Sequence, residues 1–294
     1  MARNLSEKRR STAANDLQPS AAFSTRKNPR RISENTPPVL SESAALHPTT
    51  APSPRNEGLL RQAPRTVAVV PAAGQGRRMG QKTPKQFLTL GGLPLLVHSL
   101  RVLEAADTVA AIVLAVPQAE MDYCRREIVA LYGFKKVQQV VAGGTERQDS
   151  VRLGLAAVGE DADIVLVHDA VRPFLTVSMI AQVVEAAAKH GAAIVAIPMR
   201  DTVKRVGAGG LIEETVDRKP LWLAQTPQAA RRAVLQEAHR KAQQDGFRGT
   251  DEAQLIERLG APVAIVEGST ENIKVTRPED LMIGEAILAG RTRG

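Results

Sequence analysis

From residue 66 onward the chain alternates apolar runs of strand length with amphipathic stretches of helical length, and few folds accept that order. Strand-like runs read at 66–71, 109–116, 137–141, 163–168, 192–197 and 262–266, with a further short one at 272–276. Between most of them lie helical stretches at 93–106, 118–132, 147–158, 176–190 and 227–244. The expected fold is therefore α/β, a doubly wound, mostly parallel open sheet with helices on both faces. Aromatic residues make up only 3% of the 294, so Val, Leu, Ile and Ala must fill the core. One segment breaks the alternation. Between Asp201 and Leu223, two half-polar runs flank Gly207-Ala-Gly-Gly210, the pattern of a β-hairpin. A hairpin added to such a sheet cannot bury both of its faces alone. An arm over about 199–224 is expected to project and pack on another subunit.

Ligands of open α/β sheets sit beyond the carboxyl ends of the strands. The first strand here delivers the chain to Ala72-Ala73-Gly74-Gln75-Gly76, followed at once by Arg77, Arg78, Lys82 and Lys85. From Gly74 to Leu103 there are five basic residues and no Asp or Glu. Small residues let backbone amides approach an anion, and the cations neutralise it, so the loop suits a polyphosphate. It is not a dinucleotide fingerprint, because Met79 occupies the third glycine position and the acid expected about twenty residues on is missing. It is not a P-loop either. A surface turn with solvated charges is the plainer alternative, but it leaves the coincidence of strand, small residues and cations unexplained.

Further along, Asp163-Ile-Val-Leu-Val-His168-Asp169 is a buried strand ending in a carboxylate, with Arg172 and Pro173 just beyond. An Asp at that place offers a carboxylate to Mg²⁺ and hence to a triphosphate, or else caps the turn before Pro173. His168 alternates with Asp169 and reads as packing. Gly143-Gly144-Thr145-Glu146-Arg147-Gln148-Asp149-Ser150 places glycines between a strand and a helix without dense positive charge, which favours base or ribose recognition; capping accounts equally well for Thr145. Thr276 and Glu279 have the spacing of a capping box, with Pro278 in the first turn. Lys274 alternates outward from Ile273 and Val275 and is left to face a ligand. Thr250 either caps a helix start or presents its hydroxyl to a substrate. The five His are scattered, there is one Cys, and no Gly-x-Ser-x-Gly elbow occurs. Cations, amides and carboxylates suit phosphoryl or nucleotidyl transfer, in which positioning and charge neutralisation supply the rate.

The net charge of +8 is unevenly placed: residues 1–65 carry 11 Lys+Arg against 5 Asp+Glu, and the remainder 28 against 26. This leader is rich in Ser, Pro, Ala, Asn and Arg without apolar periodicity, and is expected to be disordered. It lacks the apolar core of a secretory signal. Its acids and prolines argue against import into a plastid; a bacterial tail, or a start placed too far upstream, accounts for it better. Arg9–Arg10 and Arg30–Arg31 raise the different possibility of a nucleic-acid-binding arm, although aromatics for base stacking are nearly absent. The single Cys124 excludes an intramolecular disulfide and fits a reducing cytosol, and no run of apolar residues is long enough to span a membrane. A cytoplasmic enzyme of small molecules is expected, without nucleic-acid or membrane partners.

Seven motifs occur in order: Pro71-Ala-Ala-Gly-x-Gly-Arg-Arg-Met79, Pro84-Lys-Gln86, Val167-His-Asp-Ala-x-Arg-Pro173, Asp201-Thr-Val-Lys204, Thr226-Pro-Gln228, Thr250-Asp-Glu252 and Asn272-Ile-Lys-Val-Thr-Arg-Pro-Glu-Asp-Leu281. Together they resemble the 2-C-methyl-D-erythritol 4-phosphate cytidylyltransferases of non-mevalonate isoprenoid synthesis, over residues 66–290. The resemblance implies transfer of CMP from CTP to the polyol phosphate, with Mg²⁺ and release of pyrophosphate. It implies that Ala72, Ala73, Gly74 and Gly76 wrap the nucleotide, that Arg78 and Lys85 hold the triphosphate, and that Asp169 binds the metal. Gly144 and Ser150 would read cytosine, and Lys85 and Lys274 would stabilise the transition state. Thr202 and Arg218 would reach the polyol phosphate in the partner's site of a homodimer, joined by Arg172, Thr226 and Thr250. Thr145 stands where an acid is familiar in the family. The chain stops at Gly294 without room for the fused cyclodiphosphate synthase of some relatives, so a single-function version is expected. The ribitol 5-phosphate cytidylyltransferases of cell-wall synthesis share most motifs and are the alternative with a different acceptor.

Overall fold

The computed structural model describes residues 63–74 and 84–291. All but the last three residues of the leader, and Gly76 and Arg78, lie outside them, as does the proposed nucleic-acid arm. The strands in chain order are β1 (Thr66–Pro71), β2 (Thr89–Leu90), β3 (Leu93–Pro94), β4 (Val109–Val116), β5 (Val137–Ala142), β6 (Ile164–Val167), β7 (Ala192–Pro198), β8 (Val203–Val206), β9 (Ile212–Val216), β10 (Trp222–Arg231) and β11 (Ala264–Glu267). The helices are α1 (Leu95–Ala105), α2 (Met121–Tyr123), α3 (Arg147–Ala156), α4 (Val177–His190), α5 (Arg232–Gln244), α6 (Glu252–Glu257) and α7 (Pro278–Arg291). Seven strands form one sheet in the order β11-β7-β10-β6-β1-β4-β5. Among them β10 alone runs antiparallel to its neighbours. The chain starts in the middle of the sheet, builds β4 and β5 to one side, then crosses to β6 on the other, which puts the switch point at the ends of β1 and β6.

Side-chain alternation divides the core in two. Ala68 and Val70 of β1, Ile112 and Leu114 of β4, and Ile164 and Leu166 of β6 pack with α1 and α4 on one face. Their neighbours Val67, Val69, Ala111, Val113, Val165 and Val167 pack with α3, α5 and α6 on the other. Both faces are covered, as a parallel sheet requires, and each fully buried aliphatic side chain contributes about 1.5–3 kcal/mol. The close approach is visible at Gly154 of α3, where a Cβ would lie 2.6 Å from a Val69 methyl. A third, smaller cluster joins Leu88, Leu90, Leu95, Val171, Phe174 and Val275, and α7 packs Leu281, Ile287 and Leu288 against it.

The structure differs from the sequence reading at several places. Residues 227–231, expected to open a helix, are the end of β10, because central pairing with β6 and β7 overrides the helical preference of Gln228-Ala-Ala. Trp222 and Leu223, read as part of the hairpin, belong to the same strand. Residues 272–276 form no strand. The stretch 118–130 is helical but composite, α2 lying between a 3₁₀ turn at Gln118–Glu120 and a π turn at Cys124–Ala130. The carboxylate that caps the start of α7 is Asp280, not Glu279: its Oδ2 accepts from Thr276 N, Thr276 Oγ1 and Arg277 N at 2.7, 2.9 and 2.8 Å. At α6 the cap is Asp251, whose Oδ1 accepts from Gln254 N at 3.0 Å, rather than Thr250. Thr145 does not cap α3, which starts at Arg147 with Glu146 at the cap position and no side-chain cap. The hairpin stands as expected, with β8 and β9 pairing only with each other.

His239 of α5 is 2% exposed, and neither ring nitrogen has a hydrogen-bond partner. Burial lowers its pKa below 6.5, and Glu252 of α6 opposes that while Arg147 and Arg152 of α3 reinforce it. The unfolded chain therefore takes up a proton that the folded one refuses, so stability falls as pH drops below about 6.5. His239→Leu should leave stability at pH 7 unchanged or raised, and flatten its decline towards pH 5. Urea unfolding at both pH values measures this; an undiminished decline in the variant would refute it.

Candidate active site

β1 and β6 pair in parallel register, so their carboxyl ends deliver Ala72–Gly74 and Asp169 side by side. A recess of about 230 Å³ opens there, lined by Ala72, Ala73, Gly74, Lys85, Gly144, Ser150, Asp169 and Lys274 among others. Eight expected residues from five segments of the chain thus meet in one place. A second recess, of about 200 Å³, shares Asp169 and Lys274 and adds Arg172, Gln225, Thr226 and Thr250. The two form an anion-sized hollow on either side of one carboxylate. Thr202 and Arg218 line neither recess. Both are exposed at the base of the arm, where Arg218 Nη1 donates to the carbonyl of Arg200.

Asp169 is 5% exposed and surrounded by cations. Arg147 Nε lies 2.8 Å from Oδ1, Lys274 Nζ 2.8 Å from Oδ2, and Arg172 Nε 3.7 Å from Oδ2. Burial disfavours the carboxylate's charge, but Arg147, Lys274 and Arg172 outweigh it and hold its pKa well below the ordinary value. Burial also disfavours the charge of Arg147, and Glu252 and Asp169 more than compensate. Arg147 forks onto Glu252 through Nη1 and Nη2, both at 2.9 Å. Arg172 remains weakened by burial, with its Nη1 donating to the Asn272 carbonyl at 2.8 Å.

His168 packs behind this cluster, fully buried, as its alternation with Asp169 implied. Burial pushes its pKa down to about 4, so the ring is neutral at pH 7. Nε2 lies 3.1 Å from the Arg172 carbonyl, which can only accept, so Nε2 carries the proton and Nδ1 accepts from Thr226 Oγ1 at 3.1 Å. Thr226 Oγ1 in turn accepts from the Asp169 backbone N–H at 3.0 Å. The Thr226 hydroxyl, expected on the substrate, is thus 3% exposed and engaged in fixing the Asp169 turn. Thr250 is exposed, and its Oγ1 donates to Gln254 Oε1 at 3.3 Å.

In the first recess, the Lys85 side chain passes over Gly74, where a Cβ would lie 3.6 Å from Lys85 Cε. Gly143 allows the 143–150 loop to close on β1: a Cβ there would lie 2.4 Å from that of Ala73. Ser150 Oγ accepts from Gly144 N at 3.1 Å and donates to the Glu146 carbonyl at 3.1 Å, so the hydroxyl shapes the loop that would meet a base. Three further site residues lie inside the sequence motifs, but the sequence assigns them no partner. Arg147 and Glu252 lie 105 positions apart, and their pairing exists only in the fold. Gln228 bridges α6 to β10: its Oε1 accepts from Glu252 N and Ala253 N, and its Nε2 donates to Asp251 Oδ2.

The geometry has counterparts among known proteins. The family model for 2-C-methyl-D-erythritol 4-phosphate cytidylyltransferase (IspD) matches residues 66–290. The chain is 51% identical over 225 residues to the protein of that name from Syntrophus aciditrophicus, covering 76% of this chain and 96% of that one. It is 49% identical over 227 residues to the one from Pelotomaculum thermopropionicum, covering 77% and 95%. The crystal structure of the Thermus thermophilus enzyme of the same name superposes with a TM-score of 0.63 at 35% identity, covering 76% of this chain and 98% of that one. The 4-diphosphocytidyl-2C-methyl-D-erythritol synthase from Anaerococcus prevotii gives 0.68 at 28% identity, covering 78% and 100%. On this sequence, fold and site, the chain belongs to the 2-C-methyl-D-erythritol 4-phosphate cytidylyltransferase family, nucleotidyltransferases that join CMP from CTP to the polyol phosphate and release pyrophosphate.

Proposed function

We propose that the family reaction proceeds here by in-line attack of a phosphate oxygen of methylerythritol phosphate on the α-phosphorus of CTP. The new P–O bond forms as the bond from the α-phosphorus to the bridging oxygen breaks, and pyrophosphate leaves. The observation that carries this reading is the convergence of Lys85, Lys274, Asp169 and the Ala72–Gly74 backbone on one recess. In such reactions positioning and charge neutralisation supply most of the rate. Ala72, Ala73, Gly74 and Gly76 wrap the nucleotide, Arg78 and Lys85 hold its triphosphate, and Gly144 and Ser150 read the base. Lys85 and Lys274 neutralise charge on the five-coordinate phosphorus.

Among the described residues no three His, Cys, Asp or Glu side chains gather as a metal cage. A single carboxylate completed by phosphate oxygens and water is nevertheless a donor set that suits Mg²⁺, and Asp169 fits it. The bound ion would add charge neutralisation at the phosphates. Asp169 itself keeps Arg147, Lys274 and Arg172 gathered around the position of transfer.

The acceptor side is the second recess, where Arg172 and Thr250 meet the polyol phosphate beside the turn that Thr226 fixes, with Thr202 and Arg218 supplied by a second copy. What supports a homodimer is the arm: Val206, Leu211 and Ile212 are more than half exposed on a two-stranded hairpin, and such a hairpin is marginal alone.

Lys85→Ala should lower kcat at least about a hundredfold, the effect of removing roughly 3 kcal/mol of transition-state stabilisation. Near-normal turnover in a pyrophosphate-release assay would remove Lys85 from that role. Arg218→Ala should raise KM for methylerythritol phosphate and leave KM for CTP almost intact; the reverse pattern would mean that the arm serves the nucleotide. With methylerythritol 4-phosphate and ribitol 5-phosphate compared side by side, strong preference for the branched substrate is expected. Preference for ribitol phosphate would keep the nucleotide site and change the acceptor.

A further inference from the structure

The segment that carries Lys274 has no strand ladder to hold it, and the side chain of Asn272 takes the ladder's place. Asn272 is 0% exposed. Its Nδ2 donates to Gln225 Oε1 at 3.1 Å and to the Thr226 carbonyl at 2.9 Å, while the main-chain carbonyl of residue 272 accepts from Arg172 Nη1 at 2.8 Å. Gln225 is anchored in turn, its Nε2 donating to the Ser269 carbonyl at 2.8 Å. Gly268 leaves the space for that amide, since a Cβ there would lie 2.5 Å from Gln225 Oε1. Beyond Lys274, Val275 N donates to the Val171 carbonyl at 2.9 Å, which leaves Lys274 held from both ends while its Nζ reaches Asp169.

We propose that Asn272 is a positioning residue for the transfer reaction, setting where the Lys274 ammonium stands relative to Asp169. The proposal rests on the transition-state role given to Lys274 above. Asn272 Oδ1 is buried without a partner, so the amide is only half satisfied and serves stability poorly. What it supplies is direction: two donated bonds onto β10 where that strand's register breaks, between Ala224 and Gln228. Displacing a reacting group by about 1 Å can cost roughly a hundredfold in rate, so a residue that touches no substrate can still govern turnover.

The test is a double-mutant cycle on the full chain with CTP, Mg²⁺ and methylerythritol phosphate, reading kcat, both KM values and thermal melting for wild type, N272A, K274A and the double variant. K274A is expected to lose about a hundredfold in kcat. N272A should lose at least about tenfold in kcat with KM for CTP nearly unchanged, and the double variant should be scarcely slower than K274A alone. Full additivity of the two losses, or a normal kcat in N272A, overturns the proposal. If K274A itself turns over normally, the lysine's role fails and the proposal fails with it, an outcome distinct from a slow K274A with an additive N272A. Should N272A not fold, N272D runs the same cycle, since it keeps the shape and exchanges the donor for an acceptor; a wild-type kcat in N272D is equally fatal.

Discussion

One buried carboxylate organises this molecule's chemistry. Arg147, Lys274 and Arg172 approach within 2.8, 2.8 and 3.7 Å of Asp169. Three cations so close together would repel one another across a poorly screened interior without it. Removing one partner of a buried ion pair typically costs about 3–5 kcal/mol, because the others are left uncompensated. Asp169 therefore allows positive charge to be held together at the end of β6. The preparation extends outward, since Glu252 holds Arg147 and Thr226 fixes the Asp169 backbone against a neutral His168.

Lys274, which reaches this carboxylate, and Lys85, which lines the same recess, come from opposite ends of the domain sequence, and a small apolar cluster is what relates them. Leu88 and Leu90 follow Lys85, Val275 follows Lys274, and Val171 and Phe174 flank Arg172; all five share the third core cluster. The last helix seals it. Gly91 N donates to Glu285 Oε1 at 2.7 Å, and at φ 55° the glycine brings the β2–β3 turn so near α7 that a Cβ would lie 2.2 Å from Leu288. Helix α7 carries no catalytic group, yet it fixes both lysine-bearing segments to one rigid base.

The arm shows the opposite economy. Its strands pair only with each other, and Leu211 and Ile212 at its turn are 78% and 63% exposed. Arg205 pairs with Glu214 and Lys204 with Thr215 across it, contacts of small worth in solvent. Nothing within the described chain rewards those exposed apolar side chains, which sets the arm apart from the doubly covered sheet behind it.

Much of this was written in the sequence, because period and composition act locally. β1 and β4 fall at their expected bounds, the hairpin turn lies at its glycines, and the small residues after β1 are where amides must be bared. Period could not find β10. Its Pro227-Gln228 centre reads as the start of a helix, and only pairing between β6 and β7 makes it a strand. Likewise Ile273-Lys-Val275 alternates as a strand should, but it makes a single backbone bond, from Val275 N to the Val171 carbonyl, rather than a ladder, and buried amides hold it besides. Cap choices followed geometry over spacing, with Asp251 and Asp280 displacing Thr250 and Glu279. The sequence by itself determined most of the elements, the switch point and the type of anion the site would take, since these depend on residues close in the chain. Which cations share Asp169, and which polar side chains hold them there, only the tertiary structure decided, because those contacts join residues up to 105 positions apart and have no local signature.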